Sequence, residues 1–239
     1  LEAALRAVEP QLEAGLPVLL AAGAGWHPGI VGIVASRLVE RHHRPALVLG
    51  IADGVAKGSA RSIQGFDLGA AVIAARQHGL LEQGGGHGMA AGMTLAEAAL
   101  PPFHRFLLDR FVAEVGQGVP EPEPLALDGA LSVAAARPDL AAQIELMAPY
   151  GPGNAEPRFC LVDAQVMQAR VVGEAHVSCV LGSAAGGRLR GIAFRSAGSP
   201  LGRVLLEGGP IVRLAGRIKL ESWQGREQAA FEIEDAAPR

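Results

Sequence analysis

The chain has 239 residues, of which 49% are hydrophobic, enough for one large domain or two of ordinary size. Its net charge is −3, so a nucleic-acid partner would need a local basic surface on a protein that is not basic overall. The sequence shows no transmembrane-length apolar run and no secretory signal, and its two cysteines, Cys160 and Cys179, fit neither a disulfide framework nor a zinc site. We therefore expect a cytoplasmic protein with no membrane partner.

Helical and strand patterns alternate over residues 1–116, which predicts an α/β domain with a mixed sheet and flanking helices. The predicted elements in chain order are a helix around 5–12, a strand over 18–22, a helix from Pro28 to Arg41, strands over 46–49 and from 55, a helix from an Asp67 cap to Ala75, and a helix over 100–115. The helical pattern is already under way at Leu1, which is not a methionine. We therefore expect the chain to be part of a longer protein.

The composition changes at residues 116–124, where glycine, proline and glutamate form a tract that is hard to bury. We expect residues 117–126 to be a linker to a second domain, residues 127–239. In that domain a short helix over 140–147 precedes strand-like runs at 159–172, 177–181, 189–194, 211–220 and 231–233. Short strands separated by glycine-rich turns predict a mostly-β barrel or sandwich.

The run Gly84-Gly85-Gly86-His87 is the most informative stretch of the first domain. Three glycines remove the side chains that would keep a ligand away from the backbone, and they permit positive φ. The His87 imidazole can donate to a phosphate or bind a metal near neutral pH. We interpret the run as a backbone cradle for an anion with His87 beside it. The alternative is that His87 closes a glycine-rich turn by hydrogen bonding to the backbone.

A second candidate loop, residues 58–62, contains Ser59, Arg61 and Ser62. It lies where a strand meets a loop, and ligands of open α/β sheets collect at strand ends. Alternation along a strand places Ser59 and Arg61 on one face, where a hydroxyl and a planar guanidinium suit a phosphate. The alternative for Arg61 is a surface ion pair.

The third candidate loop contains Trp26 and His27, followed by Pro28. Both side chains lie at a strand end, as the other two loops do, and are candidates for substrate contact. The alternative is that they only stabilise the start of the helix that begins at Pro28.

The carboxylates near these loops are isolated: Asp53, Asp67 and Glu82. Two-metal phosphoryl chemistry needs several clustered ligands, because the ions lie about 3.5–4 Å apart. No such cluster can be assembled from the sequence, and P-loop, nucleophile-elbow and dinucleotide-binding patterns are also absent from it. We therefore predict no metal site and no cofactor within this chain.

In the second domain Arg213, Arg217 and Lys219 alternate with apolar residues, and Trp223 follows at a turn. Basic residues on one face of a strand with a nearby indole ring are typical of barrels that bind single-stranded nucleic acid, with Arg188, Arg190 and Arg195 as a possible extension of that surface. The alternative is the polar outer face of an ordinary antiparallel strand.

Five stretches together resemble RecJ, a family of bacterial 5′→3′ exonucleases for single-stranded DNA in the DHH phosphoesterase superfamily. They are residues 25–35, 58–62, 84–92, 149–157 and 223–235. The resemblance implies that residues 1–116 are a DHH-associated domain and that residues 127–239 are an OB-fold domain. It also implies a role in DNA repair and recombination.

The family's catalytic DHH domain, with its Mn²⁺ or Mg²⁺ site, would precede Leu1. The resemblance implies that Ser59 and Arg61 grip the 5′-terminal phosphate, that His87 faces the scissile phosphate and that the OB domain guides the strand. It implies as partners single-stranded DNA, the protein's own DHH domain, and single-strand binding protein or other repair proteins.

Three alternatives stay open at this point. The first is a phosphodiesterase for oligoribonucleotides or cyclic dinucleotides, whose DHH-associated domain has a similar glycine-histidine loop. The second is a non-catalytic nucleic-acid-binding module, as in alanyl-tRNA synthetases. The third is a protein-interaction scaffold.

Overall fold

The computed structural model describes residues 1–118, 124–223 and 225–238. The chain divides into two compact units, Leu1–Glu123 and Pro124–Arg239. The linker over 117–126, and with it the domain limits at 116 and 127, stays a prediction, because residues 119–123 lie outside the described residues. Within the described ranges, no helix has both the length and the apolar character that a membrane crossing requires.

The first unit is a five-stranded mixed sheet with helices, as predicted. Its strands lie in the order β1-β2-β3-β5-β4, with β1 parallel to β2 and the other pairs antiparallel. The elements are α1 (Glu2–Glu13), β1 (Leu19–Ala24), α2 (Pro28–His42), β2 (Ala46–Ala52), β3 (Val55–Arg61), α3 (Leu68–Gln77), β4 (Gln83–His87), β5 (Ala90–Ala96) and α4 (Leu100–Val115).

Strand β2 is apolar throughout because helices cover both of its faces. Its Leu47 and Leu49 join a core formed with α3 and α4, in which Phe103 and Phe111 are fully buried. The alternate residues of β2 pack into a second core with α1 and α2, whose buried members are Ala4, Val8, Leu19, Ala21, Val31, Ala35, Leu38, Ala46 and Val48. The sheet is therefore a central layer between two helical layers.

The glycine run predicted to be a loop is an edge strand, β4, which pairs with β5. None of Gly84, Gly85 and Gly86 has positive φ, so conformational freedom does not explain them. Close packing explains two of the three. A Cβ on Gly86 would lie 2.2 Å from the Ala90 carbonyl oxygen, and one on Gly84 would lie 2.9 Å from side-chain atoms of Leu81 and Val72, whereas Gly85 has open space above it.

The second unit is the predicted mostly-β, OB-like barrel. Strands lie in the order β10-β11-β9-β8-β7-β6, and an additional β10–β7 pairing closes five of them into a ring. The elements are β6 (Gly129–Leu131), α5 (Pro138–Glu145), β7 (Phe159–Val172), β8 (His176–Gly182), β9 (Arg188–Ala193), α6 (Pro200–Glu207), β10 (Gly209–Trp223) and β11 (Arg226–Pro238).

The barrel interior is filled by side chains from alternate positions of the strands, among them Leu161, Leu181, Leu214 and Phe231. Cys179 lies in this core, and its burial raises the pKa of the thiol to about 11. Cys160 and Cys179 form no disulfide.

We expect Gly86→Ala to destabilise the first unit by about 1–3 kcal/mol, because the new methyl group would overlap backbone atoms of β5. Gly85→Ala is the matched control, since nothing lies within 4 Å of its Cβ position. Thermal unfolding of the two variants measures the difference. Equal midpoints would show that Gly86 is not required for packing.

Candidate functional site

One face of the β3–β5–β4 part of the sheet carries polar side chains around two glycines. We call it the glycine-floored face and define it by nine residues of the three strands: Lys57, Ser59, Arg61, Gln83, Gly85, His87, Ala90, Gly92 and Thr94. The register pairs Ala90 with both Arg61 and His87, and the next row pairs Gly92 with both Ser59 and Gly85. Directly paired residues point to the same side of a sheet, so all nine share one face.

The centre of this face is bare backbone. Gly92 is exposed, and no atom lies within 4 Å of a Cβ position on Gly85. Arg61 and His87 are two strands apart, which corresponds to about 10 Å. A sugar-phosphate chain can therefore contact the strands between a guanidinium on one side and an imidazole on the other.

The Arg61 side chain is held against α2. Its Nη1 donates to the Ala60 carbonyl oxygen at 2.9 Å. A Cβ on Gly32 of α2 would lie 3.1 Å from Arg61 Nη2 and 3.6 Å from Ser59 Oγ, so this glycine leaves room for both groups. No carboxylate of the described residues lies within 4.0 Å of the guanidinium, and the structure therefore does not support the alternative of a surface ion pair.

The backbone of His87 is held in place by the start of α3, and the residue is exposed. A Cβ on Gly69, in the first turn of α3, would lie 2.8 Å from the His87 carbonyl carbon, so the helix start packs directly on this residue. The backbone N–H of Leu68 donates to the Gly88 carbonyl at 3.1 Å. The structure shows no hydrogen bond from the His87 ring to the described residues, which leaves both ring nitrogens available to a ligand.

Ser62 was predicted to contact substrate, and the structure corrects that prediction. Its side chain is buried, and its Oγ donates to the Phe66 carbonyl oxygen at 2.8 Å. Its backbone N–H donates to the Met89 carbonyl at 3.0 Å, which ties the end of β3 to the turn after His87. Ser62 therefore supports the glycine-floored face from below instead of forming part of it.

His27 stabilises the start of α2, in agreement with the alternative interpretation, whereas Trp26 packs on the neighbouring strands β1 and β2. A Cβ on Gly23 would lie 2.6 Å from the Trp26 ring, and one on Gly50 would lie 2.2 Å from the Trp26 carbonyl oxygen. His27 is the N-cap, and its Nδ1 accepts from the Gly29 N–H at 3.0 Å. A direct substrate contact of either side chain stays a prediction.

The residues of this face do not fit a divalent metal ion. Mn²⁺ and Mg²⁺ take mostly oxygen ligands, whereas Lys57 and Arg61 are cationic. Asp67, beside the turn after His87, accepts from the Ala70 N–H at 2.9 Å as the cap of α3. In the parts of the chain that are described, no three His, Cys, Asp or Glu side chains group as metal ligands.

Two of the three cations in the basic stripe predicted on β10, Arg217 and Lys219, are paired with carboxylates, which argues against the roles predicted for them, whereas Arg213 is exposed. Arg217 Nη1 lies 2.6 Å from a Glu234 carboxylate oxygen, and Lys219 Nζ lies 2.5 Å from Glu156. Arg158 pairs with the same Glu234 at 2.5 Å. These partly buried pairs would have to be broken before either cation could bind a phosphate.

Trp223 ends β10, and its side chain lies outside the described residues. Its predicted stacking role stays a prediction. Of the arginines suggested as an extension, Arg190 pairs with Glu221 at 2.8 Å, whereas Arg188 and Arg195 are exposed and have no carboxylate within 4.0 Å among the described residues.

Sequence reasoning missed two residues of the glycine-floored face, Lys57 and Gly92. It also missed Gly32 of α2, which packs beside Arg61. Lys57 could have been found, because alternation along β3 places it on the same face as Ser59 and Arg61. Gly92 and Gly32 could not, because their roles depend on the register of β5 and on the packing of α2 over β3.

Two family models match the chain, one in each unit. The DHHA1 domain matches residues 15–113 and the RecJ OB domain matches residues 127–235. The single-stranded-DNA-specific exonuclease RecJ of Bacillus subtilis is 33% identical over 226 residues, which cover 92% of this chain and 28% of the relative. The protein of the same name from Thermus thermophilus is 32% identical over 234 residues, which cover 98% and 31%.

A solved structure agrees with these relatives. The crystal structure of Thermus thermophilus RecJ in complex with Mn²⁺ matches with a TM-score of 0.71 and 29% identity, over 100% of this chain and 33% of that one. The chain therefore spans about a third of the length of the relatives it matches. From the two domain matches, the relatives and the shared fold, we conclude that the chain belongs to the RecJ family, of which it carries the DHHA1 and OB domains.

Proposed function

We propose that this chain is the DNA-end-binding part of a 5′→3′ exonuclease that degrades single-stranded DNA in repair and recombination. The observation that carries the proposal is the glycine-floored face, on which Arg61 and His87 flank exposed backbone. Hydrolysis of the phosphodiester belongs to a DHH domain outside these 239 residues. In that domain bound Mn²⁺ or Mg²⁺ would supply activated water and charge stabilisation.

In this proposal Arg61 and Ser59 bind the 5′-terminal phosphate. With Nη1 engaged by a backbone carbonyl, Arg61 still presents Nε and Nη2, and two parallel N–H donors match two phosphate oxygens. Ser59 adds a hydroxyl one row away, and Lys57 adds a second positive charge on the same strand. The exposed His87 ring would donate to a phosphate on the far side of the glycine floor, which is the position proposed for the scissile phosphate.

The partners proposed for this chain are single-stranded DNA and the protein's own DHH domain. Ile30 and Ile33 of α2 flank Gly32 and are 54% and 61% exposed, and such an apolar pair beside the site supports docking of a further domain. Single-strand binding protein and other repair proteins are further proposed partners. A cytoplasmic location is also proposed.

In a full-length enzyme that carries this chain, we expect Arg61→Ala to reduce the preference for 5′-phosphorylated over 5′-hydroxyl strands by about 10- to 100-fold. Hydrogen bonds to charged groups contribute about 1.5–3 kcal/mol, and the variant loses them only for the phosphorylated end. Competition binding with the two oligonucleotides measures the ratio. Arg105→Ala is the matched control, because Arg105 is an exposed arginine on α4. If Arg61→Ala and Arg105→Ala show the same ratio of affinities for 5′-phosphorylated and 5′-hydroxyl strands, Arg61 does not bind the 5′-phosphate.

Gly32→Ala tests the positioning of Arg61. The new methyl group would displace the flexible guanidinium by a few tenths of an ångström, while alanine favours a helix over glycine by up to about 1 kcal/mol. We expect weaker discrimination of the 5′-phosphate, unchanged affinity for 5′-hydroxyl strands and no loss of thermal stability. A variant that is destabilised, or that keeps full discrimination, would contradict this role for Gly32.

We expect the purified 239-residue chain to bind single-stranded DNA without cleaving it when Mn²⁺ is present. Gel analysis of an end-labelled strand checks for cleavage, and anisotropy checks for binding. Release of nucleotides would overturn the assignment of hydrolysis to another domain. Tighter binding of short oligoribonucleotides than of DNA would instead favour a phosphodiesterase for those substrates.

A further inference from the structure

We propose that Gln83 and Thr94 form a subsite for the base of the 5′-terminal nucleotide, and that they hydrogen-bond to whichever base is present. Because this subsite extends the one proposed for the 5′-terminal phosphate, it rests on the proposed function. It gives a ligand to the Gln83 end of the glycine-floored face, which the two proposed phosphates do not occupy.

The groups proposed for the 5′-phosphate lie at the middle row of the face. One point, the Cβ position on Gly32, is 3.1 Å from Arg61 Nη2 and 3.6 Å from Ser59 Oγ. The Arg61 guanidinium therefore lies near Ser59. In the register, the row of Ser59 continues through Gly92 of β5 to Gly85 of β4. A phosphate held by the guanidinium and the hydroxyl places the start of the DNA strand at this row.

Strand β4 offers two positions for the rest of the terminal nucleotide. Gly85 lies in the middle row, His87 lies one row toward the hairpin turn, and Gln83 lies one row in the opposite direction. Neighbouring rows on one face are about 7 Å apart. A sugar over the glycines directs its 3′ phosphate to His87 and its base to Gln83, because these two groups leave the sugar ring on opposite sides.

The path from the phosphate to Gln83 is free of side chains. Nothing lies within 4 Å of a Cβ position on Gly85, and one on Gly92 would meet only the Gly58 carbonyl oxygen, at 3.8 Å. Packing of the sheet therefore requires glycine at neither position. The space above these two residues is open to a sugar and a planar base.

Hydrogen bonds on both sides of Gln83 hold its backbone in place. The N–H of Glu82 donates to the Thr94 carbonyl oxygen at 2.9 Å, and the Gly84 carbonyl oxygen accepts from Arg76 Nη1 at 3.1 Å. Gln83 itself pairs with Thr94 across β4 and β5. The two residues therefore need little backbone ordering when a ligand binds.

The chemistry of the two side chains suits a base better than another phosphate. The Gln83 amide and the Thr94 hydroxyl both donate and accept hydrogen bonds, whereas a phosphate only accepts them. Each base presents donors and acceptors along its edge, so an amide can match any of them by turning over. Glu82, the next residue along the chain, disfavours a further phosphate by its charge. Among the described residues, neither side chain has a hydrogen-bond partner that would occupy it.

The subsite is tested by binding of two 5′-phosphorylated oligothymidylates to a full-length enzyme that carries this chain, without divalent metal so that the strands stay intact. One strand has all its bases, and the other has an abasic 5′-terminal nucleotide. We expect the wild type to bind the strand with the terminal base about 2- to 10-fold more tightly, which corresponds to one neutral hydrogen bond. Gln83→Ala and Thr94→Val should each lower this ratio, and the double variant should abolish it.

Gln77→Ala is the matched control, because Gln77 is an exposed glutamine on α3, which packs against the opposite face of the sheet. It should keep the wild-type ratio. Gln83→Glu preserves the shape of the side chain but only accepts hydrogen bonds. It should favour a terminal cytosine or adenine, which carry amino groups, over thymine, whereas the wild type should bind the three ends alike.

The outcomes separate this inference from the proposed function. If the wild type binds the abasic end as tightly as the intact end, or if Gln83→Ala keeps the wild-type ratio, the base does not contact this pair and the inference is overturned. The proposed function stands in that case if the wild type still prefers 5′-phosphorylated over 5′-hydroxyl strands. A wild type without that preference would contradict the proposed phosphate site as well.

Discussion

The pairing of β3 with β5 is the constraint on which the glycine-floored face depends. Ala56 and Ala60 of β3 and Met93 and Leu95 of β5 are buried in the core with α3 and α4, so the register cannot slip by one residue without exposing them. The alternate positions then face the opposite side. The same burial that stabilises the sheet therefore presents Arg61 and its neighbours to solvent.

Glycine contributes to this region in three physically different ways. Gly84 and Gly86 allow β4 to pack closely against its neighbours, because a side chain at either position would overlap other atoms. Gly85 and Gly92 leave the centre of the face open to a ligand. Gly32 leaves space for the Arg61 guanidinium beneath α2. None of these five residues has positive φ, so turn geometry does not explain them.

Charge compensation decides which cations of the OB unit are available to a phosphate. Arg217 and Lys219 are positive in the sequence but are paired with Glu234 and Glu156 in the fold, and the cost of separating partly buried pairs makes them poor phosphate ligands.

The sequence by itself determined the two-part architecture, the α/β and mostly-β classes and the family, because hydrophobic periodicity and the local motifs are properties of neighbouring residues. Period-2 alternation also placed Ser59 and Arg61 on one face. Only the tertiary structure decided that the glycine run is an edge strand, that Ser62 is buried and that Arg217 and Lys219 of β10 are paired. Each of these depends on contacts between residues distant in the chain, such as Glu156 with Lys219, and spacing along the sequence carries no information about such contacts.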